Sequence, residues 1–376
     1  MYRFAILVLI GLCNFIVPLQ AQNEAGPTIP DNGRILIVSG GGATGAWGGG
    51  VTQALHKQGL RYDAVIGSST GSLIAPFILN ESFDELKEGY TNITDKDIFN
   101  VRPFKTKGKK KGELRMFNAL WRIISPKKTL GESKNLLKTI RKFFTQTDFD
   151  SLRNTECDFF VTVVNVLEDE VEYKSIHDPE LGMVNGVYDS VEAYKSYTRW
   201  IWASANFPVF MSMHSVRDEA GVRSYYFDGG IKESIPLEKG LALAREKGYR
   251  NIDVIIHSTG DPQLTHDSQV NKAMKLLGRT IEIFRSEVRQ NDVKLVEAIG
   301  KLEARPKKED AIDVTIYYMA PEDYNRIPNQ LIFDKTEMTE LWEIGTQIFN
   351  LNRYEGKIVE FSIDNDQALN DLLGNR

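Results

Sequence analysis

The sequence predicts an α/β fold, a three-layer sandwich in which a mainly parallel central sheet is covered by helices on both faces. The first observation is that short, β-branched apolar runs such as RILIVS at positions 34–39 suit strands buried on both sides. The second is that these runs alternate along the chain with stretches of helical periodicity. Such alternation is typical of parallel strands joined by covering helices.

The first strand is predicted at Arg34–Ser39, and a glycine-rich stretch, Gly40–Gly50, follows it. We expect this stretch to be a loop before a helix that ends at Gly59. A second strand at Tyr62–Ile66 leads into a tight turn and the next helix, Leu73–Leu79. The chain therefore begins with two strand–loop–helix units.

The rest of the chain continues the alternation. Residues 81–147 are mostly polar and are predicted to be helical. Later strands are predicted at 159–166, 170–175, 225–227, 252–257 and 312–319. Later helices are predicted at 190–205, 237–247, 269–303 and 335–351.

The composition is that of a globular protein with room for a large core. Of the 376 residues, 42% are apolar and 26% are charged, which excludes a disordered, collagen-like or multi-pass membrane chain. The net charge of −5 gives no indication of nucleic-acid binding, which is typical of strongly basic domains. The two cysteines and five histidines show no metal-ligand spacing, so we predict no metal and no cofactor.

The N-terminal segment is typical of export. Residues 1–21 contain one basic side chain, Arg3, then an apolar run and a small residue, Ala21, suited to cleavage. These features predict a secretory signal peptide. We therefore expect a periplasmic, envelope-associated or secreted protein.

No repeat or linker divides the remainder of the chain. Residues 22–33 contain two prolines and two glycines and are predicted to be a flexible leader. We expect a single α/β domain over 34–376. Its chemical motifs fall within 34–258, and 259–376 form an extension of helices and strands.

The most specific motif is GSSTG at Gly67–Gly71, a G-x-S-x-G between a predicted buried strand and a helix. A serine on such a strand-to-helix turn projects its hydroxyl from the edge of the sheet, as a nucleophile elbow requires. The helix N-terminus also favours negative charge developing at the serine. Ser69 is therefore the candidate nucleophile, although a plain glycine–serine turn has the same letters.

The stretch from Gly40 to Gly45 has the letters of a dinucleotide-binding fingerprint, G-x-G-x-x-G. That function also requires an acidic residue at the end of the second strand. The candidate, Asp63, precedes the apolar part of that strand, so it lies at the wrong end. The alternative is that the backbone N–H groups of the loop bind an oxyanion beside Ser69.

A third motif, Asp228-Gly229-Gly230, follows a short predicted strand. Aspartate before two glycines is a common turn, and a structural role is the simpler interpretation. Its place at a strand end also suits a carboxylate held against a serine hydroxyl.

Taken together, SGGGATG at 39–45, GSSTG at 67–71 and DGG at 228–230 resemble the patatin-like phospholipase family, in the same order along the chain. ASANFP at 203–208 and IPL at 235–237 are similar to further family segments, so the resemblance covers about 34–258. Thr44 departs from it, since the family commonly has Arg or Lys there.

The resemblance implies a lipid acyl hydrolase, a phospholipase A or carboxylic ester hydrolase of lipid degradation. Ser69 would be the nucleophile and Asp228 the base of a catalytic dyad with an acyl-serine intermediate. Backbone N–H groups of Gly41, Gly42 and Ala43 would form the oxyanion hole. An ordinary aspartate, with a pKa of ~3.9, cannot hold a fully removed serine proton, so transfer must accompany attack.

Two alternatives remain. An α/β-hydrolase esterase with a Ser–Asp–His triad would use His257 or His266, both of which follow Asp228. A catalytically inactive lipid-binding protein would have the fold without the activity.

A basic run, Lys105–Lys111, precedes an apolar helical stripe formed by Leu114, Phe117, Leu120, Trp121 and Ile124. A basic amphipathic element can lie on anionic lipid, so this segment is a candidate for peripheral membrane contact over the Ser69 site. A solvated loop beside a core-facing helix is the simpler interpretation. The substrate would be a membrane lipid or another lipid ester.

Overall fold

The computed structural model describes residues 33–105, 108, 114–217, 220–257, 294, 312–319, 332–347 and 358–363. These residues belong to one compact unit, Asn32–Arg376, and the N-terminal unit, Met1–Asp31, lies outside them. None of the described helices is long and apolar enough to cross a membrane.

The described strands form one large mixed sheet and a two-stranded hairpin. The strands are β1 (Arg34–Val38), β2 (Ala64–Ser68), β3 (Asp158–Asn165), β4 (Glu170–Ser175), β5 (Met183–Val184), β6 (Val187–Tyr188), β7 (His214–Arg217), β8 (Arg223–Asp228), β9 (Asn251–Ile255), β10 (Ile312–Met319) and β11 (Ile358–Ile363). The large sheet has the order β11-β10-β9-β1-β2-β3-β8-β7, and β4 also pairs with β3. Its central strands β10, β9, β1, β2 and β3 are parallel, which confirms the predicted mainly parallel sheet.

Helices connect these strands. They are α1 (Gly45–Lys57), α2 (Thr70–Leu79), α3 (Phe83–Thr91), α4 (Asp95–Ile98), α5 (Met116–Ile124), α6 (Lys134–Phe143), α7 (Gln146–Arg153), α8 (Ser190–Ser204), α9 (Leu237–Lys247) and α10 (Lys335–Thr346). Two short 3-10 turns, Gly42–Thr44 and Gly229–Ile231, lie at strand ends.

The two faces of the sheet pack into separate cores. Along β1, Leu36 and Val38 join the larger core, while Ile35 and Ile37 join the smaller one, because successive strand residues point to opposite faces. Helix α9 covers the smaller core, and most of the other helices cover the larger one. Helices therefore lie on both faces, as the sequence predicts.

The glycine-rich stretch Gly40–Gly50 is not one loop, which corrects the prediction. Helix α1 begins at Gly45, and its glycines allow α10 to approach the helix backbone. A Cβ placed on Gly50 would lie 2.2 Å from the carbonyl oxygen of Trp342. A Cβ on Gly345 would lie equally close to the carbonyl oxygen of Trp47. The second half of the stretch therefore serves helix packing.

Other element boundaries differ from the predictions. The second strand runs over Ala64–Ser68 rather than Tyr62–Ile66, because Tyr62 and Asp63 are engaged at the start of the sheet. There the Tyr62 hydroxyl donates to Asp253, and Asp63 accepts from the backbone N–H of Arg34. The sequence analysis also missed β5, β6 and β7, which are short and mostly exposed, and β11 at Ile358–Ile363. The helix predicted at 269–303 lies almost entirely outside the described residues.

Strands β2 and β8 run in opposite directions, and their ends meet along the same edge of β3. Strand β4 pairs with the other edge of β3, so β2 and β8 both pair with the edge that remains. The parallel β2 ends with Ser68 opposite Thr162, and the antiparallel β8 ends with Asp228 opposite Val163. The residues that follow β2 and the last residue of β8 are thereby brought to the same point.

Candidate active site

Ser69 lies on a strained turn between β2 and α2. Its backbone has φ 54° and ψ −122°, a conformation that non-glycine residues rarely adopt and that is typical of a nucleophile elbow. The turn is tight against the sheet, since a Cβ on Gly71 would lie 2.0 Å from the carbonyl oxygen of Val38. A Cβ on Gly67 would lie 2.5 Å from the backbone nitrogen of Ser72. Both motif glycines therefore allow α2 to start directly over the strands.

A buried chain of hydrogen bonds holds this turn. The backbone N–H of Ser69 donates to Oγ of Ser204 over 3.0 Å, and the hydroxyls of Ser204 and Ser72 lie 2.8 Å apart. Because Ser72 donates its proton to the carbonyl of Gly67, Ser204 must be the donor to Ser72. The last turn of α8 thus supports the elbow.

Ser69 and Asp228 form a direct hydrogen bond. The Ser69 hydroxyl donates to Oδ2 of Asp228 over 2.7 Å. The other carboxylate oxygen, Oδ1, accepts from the backbone N–H of Gly230 over 2.9 Å. Both side chains are nearly buried, with 8% of Ser69 and 4% of Asp228 exposed. The carboxylate is therefore oriented by one contact and joined to the serine by the other.

The two glycines after Asp228 have steric roles. A Cβ on Gly229 would lie 2.5 Å from the carbonyl oxygen of Thr162 on β3, so the turn can approach the strand only with glycine there. A Cβ on Gly230 would lie 3.1 Å from Oδ1 of Asp228 and would crowd its contact with the carboxylate.

The glycine loop after β1 passes beside Ser69. A Cβ on Gly40 would lie 3.8 Å from Oγ of Ser69, and Gly42 lines the same cavity as Ser69. Gly42 has φ 58°, in the left-handed region that favours glycine. A Cβ on Gly45 would lie 2.2 Å from Oγ1 of Thr70, so the start of α1 also lies against the elbow.

Thr44 has a local role in this loop. Its hydroxyl and its backbone N–H both bond the carbonyl of Gly41, at 2.8 Å and 3.3 Å. Thr44 is buried, as is its neighbour Ala43. The side chain that replaces the family's Arg or Lys therefore closes the loop by hydrogen bonding.

An apolar cavity opens from Ser69. It has an empty volume of about 750 Å³, open solvent at its mouth included. Its walls come from α2, α3 and α6, and they include Leu73, Phe77, Leu86, Leu136, Ile140 and Phe143. Tyr90 also lines it, and burial raises the pKa of that phenol, whose oxygen lies 2.5 Å from Oγ1 of Thr70. The cavity is therefore suited to a hydrocarbon chain.

His257 is fully buried two residues after the end of β9. Its Nδ1 is 2.8 Å from the carbonyl oxygen of Ser39, and its ring meets Trp47 edge-on. In a triad a histidine would stand between serine and aspartate, and the direct Ser69–Asp228 bond leaves no place for one. His266 lies outside the described residues.

Asp63 lies at the opposite end of the sheet from the glycine loop. Its carboxylate accepts from the backbone N–H of Arg34, the first residue of β1, over 2.7 Å. Of the basic run, Lys105 is described, while Lys107 and 109–111 lie outside the described residues.

Sequence reasoning missed Ser204 and the cavity. Ser204 stands in the ASANFP segment, which carried the resemblance but no role for the serine. The sequence signal that could have identified Ser204 was a small hydroxyl residue at the end of a predicted helix, before the strand that ends at Asp228. The cavity left no signal, because its lining residues come from segments far apart in the sequence.

Comparison with known proteins agrees with this architecture. Residues 36–240 match the family model described as Patatin-like phospholipase, which is more than half of the chain. The chain belongs to the patatin-like phospholipase family, and membership indicates lipid hydrolase activity in general.

One solved structure is similar over most of the chain. The crystal structure of VipD from Legionella pneumophila matches with 15% sequence identity and a TM-score of 0.39. The match covers 89% of this chain and 68% of that chain. Among the curated proteins, no sequence matches this one significantly.

Proposed function

We propose that the protein is a lipid acyl hydrolase that uses Ser69 as nucleophile and Asp228 as general base. The observation that carries the proposal is the 2.7 Å hydrogen bond to Asp228 from the hydroxyl of Ser69, a residue that lines an apolar cavity. A hydroxyl placed on a base is an activated nucleophile, and the cavity offers room for the acyl chain of its substrate.

The reaction then has two stages. Oγ of Ser69 attacks the ester carbonyl carbon while its proton passes to Oδ2 of Asp228. The tetrahedral oxyanion faces the backbone N–H groups of Gly41, Gly42 and Ala43, and stabilisation by such donors is a large part of catalysis. The leaving alcohol takes the proton from Asp228, and the acyl group stays on Ser69. Water then attacks the acyl-serine, gives its proton to Asp228, and releases the acid while Ser69 regains a proton.

The two alternatives have less support. The triad requires a histidine at Asp228, and the direct bond of Ser69 to the carboxylate favours the dyad. A lipid-binding protein without activity would have no need of a strained serine bonded to a buried carboxylate.

The substrate is a lipid ester, in a membrane or from another source, and the polar lining near Ser69 is confined to a few hydroxyl groups. The signal-like segment at 1–21 supports export, so we place the protein in the periplasm, at the envelope or outside the cell. Peripheral contact with lipid through Lys105–Lys111 and the helix after it belongs to the same proposal.

Hydrolysis assays with matched variants test the proposal. The full chain should hydrolyse a medium-chain fluorogenic ester and phospholipid vesicles. Ser69→Ala should abolish turnover, and Asp228→Asn should lower kcat by at least a hundred-fold, the lower range for general-base catalysis. His257→Ala is the control, and its folded fraction should retain turnover.

Wild-type protein without turnover on any ester would contradict the assignment, as would full activity in folded Asp228→Asn protein. Loss of kcat in folded His257→Ala protein would favour the triad instead.

A further inference from the structure

Helix α5 (Met116–Ile124) is amphipathic, but it exposes its apolar face and buries a charged residue, whereas a surface helix usually does the opposite. Its buried positions are Ala119 and the charged Arg122. Six large apolar side chains on the same helix are exposed: Met116, Phe117, Leu120, Trp121, Ile123 and Ile124. Phe117 is 95% exposed. Around the helix these six cover one continuous arc of about 160° at 100° per residue, so they form a single apolar face.

Specific contacts hold α5 with this face outward. The guanidinium of Arg122 donates from Nε to the carbonyl of Thr129 over 2.6 Å and from the second nitrogen to Glu132 over 3.0 Å. Arg122 is 4% exposed, so the helix is fixed by its charged side. Turning the apolar face inward would require this partly buried ion pair to break and would remove the partners of the buried Arg122 guanidinium, which is costly.

The helix is joined to the wall of the cavity. After α5, the backbone N–H of Leu130 donates to the carbonyl of Val209 over 2.7 Å. The ring of Phe104, before α5, packs against Phe210 at 5.0 Å between centroids, and the next residue, Met211, lines the cavity that opens from Ser69. The segments on either side of α5 therefore contact the stretch of chain directly before Met211, a residue of the cavity wall.

The sequence before and after α5 is rich in basic residues. Positions 101–132 contain ten lysines and arginines and two acidic residues, Glu113 and the Glu132 that pairs with Arg122, in a chain whose net charge is −5. Arg115 just before the helix and Lys127 just after it are exposed. An exposed apolar face flanked by cations complements an anionic lipid surface, because such a surface attracts basic residues that lie near it.

We propose that the exposed face of α5 docks the protein on anionic bilayers and inserts Phe117, Leu120 and Trp121 among the lipids. This inference rests on the proposed function, because docking there would deliver lipid esters to the Ser69 cavity. A second copy of the chain is a poorer occupant, since pairing through this face would bring two strongly basic regions together. Tryptophan at the edge of an apolar face is also typical of a membrane interface.

The test measures binding in Ser69→Ala protein, so that it does not depend on catalysis. Vesicles of equal parts phosphatidylglycerol and phosphatidylcholine are compared with phosphatidylcholine alone in a sedimentation assay. We expect binding to the anionic vesicles, and at least ten-fold weaker binding after Phe117→Ser, Leu120→Ser and Trp121→Ser together. The matched control replaces three exposed apolar residues elsewhere, Leu167, Val187 and Val222, by serine and should bind within two-fold of the parent.

Fluorescence gives a second measurement that needs no destabilising change. All five tryptophans are described, and Trp121 alone among them is exposed. Its emission should shift to shorter wavelength on anionic vesicles, and Trp121→Phe should remove the shift while binding remains.

Unchanged vesicle binding by the folded triple variant would overturn the proposal. If that variant also changed from a dimer to a monomer, the apolar face of α5 would instead be a contact between two copies of the chain. Failure of the hydrolase assignment would look different, because the wild type would then bind these vesicles without ester turnover.

Discussion

Ser69 is positioned from two sides. Its hydroxyl bonds the carboxylate of Asp228, and its backbone N–H bonds the buried hydroxyl of Ser204. A strained φ of 54° persists only where surrounding contacts impose it. We therefore expect Ser204 to position Ser69, the proposed nucleophile.

We expect Ser204→Ala to lower kcat about ten-fold and the free energy of unfolding by about 1–3 kcal/mol. The change leaves the buried N–H of Ser69 without its acceptor, which costs this much in folded proteins. Steady-state kinetics and urea unfolding measure the two effects. A stability loss with unchanged kcat would mean that Ser204 supports the fold but does not position Ser69.

At this level the sequence singled out Ser69 and Asp228, which the structure joins by a hydrogen bond, but not the contact that supports Ser69. Ser69 and Asp228 stand in local motifs whose letters can be recognised without the fold. The contact from Ser204 depends on where α8 ends relative to β2, and that relation is not encoded in either segment alone.

The helices α2, α3 and α6 shape the cavity. Leu73 and Phe77 lie on successive turns of α2 beyond Ser69, so the cavity follows that helix away from the candidate nucleophile. Gly89 on α3 lines it opposite Phe143, and a Cβ there would lie 3.8 Å from the phenylalanine ring, an ordinary contact. A larger side chain at Gly89 can therefore enter the cavity.

We expect Gly89→Leu to shorten the acyl chain that the enzyme accepts. Excluding two methylene groups costs about 1.6 kcal/mol, so kcat/KM for the longest good substrate should fall about fifteen-fold. Short-chain esters should react at the parent rate, and Gly89→Ala is the control. An equal loss for all chain lengths would show that the cavity does not hold the acyl chain.

Element types were largely predictable because apolar periodicity is local. The prediction failed at Gly45–Gly50, which is helical because α10 packs on it with backbone contact at Gly50 and Gly345. That partner is almost three hundred residues away in the sequence, so glycine content alone indicated a loop.

At the scale of the whole molecule, Ser69 and Asp228 meet because the two strands that carry them run in opposite directions along β3. Parallel β2 and antiparallel β8 end at neighbouring positions on β3, opposite Thr162 and Val163. The sequence predicted a mainly parallel sheet, and it contained no signal for this junction, since pairing between distant strands depends on the complete fold.

Acid should destabilise the protein partly through His214. Burial between Trp200 and Trp202, with Arg199 and Lys174 nearby, lowers the pKa of His214 to about 4. The His214 side chain of the unfolded chain binds a proton near pH 6.5, whereas the native state resists protonation until about pH 4. The contribution of neutral His214 to stability is therefore fully present above pH 6.5 and is lost as the pH falls towards 4. Protonation of His214 should therefore lower the free energy of unfolding by about 3 kcal/mol.

Urea unfolding of the wild type and His214→Phe between pH 7 and pH 4 measures this contribution. The variant should lose less stability with acid, while phenylalanine keeps the aromatic packing. Equal pH dependence in the two proteins would contradict the assignment to His214.

Covalent labelling tests the central claim, that Asp228 activates Ser69 for attack. A fluorophosphonate should form one adduct, and peptide mass spectrometry should place it on Ser69. The labelling rate should fall at least a hundred-fold in Asp228→Asn and stay near the wild-type value in His257→Ala. An adduct on another residue, or wild-type labelling of Ser69 in folded Asp228→Asn protein, would contradict it.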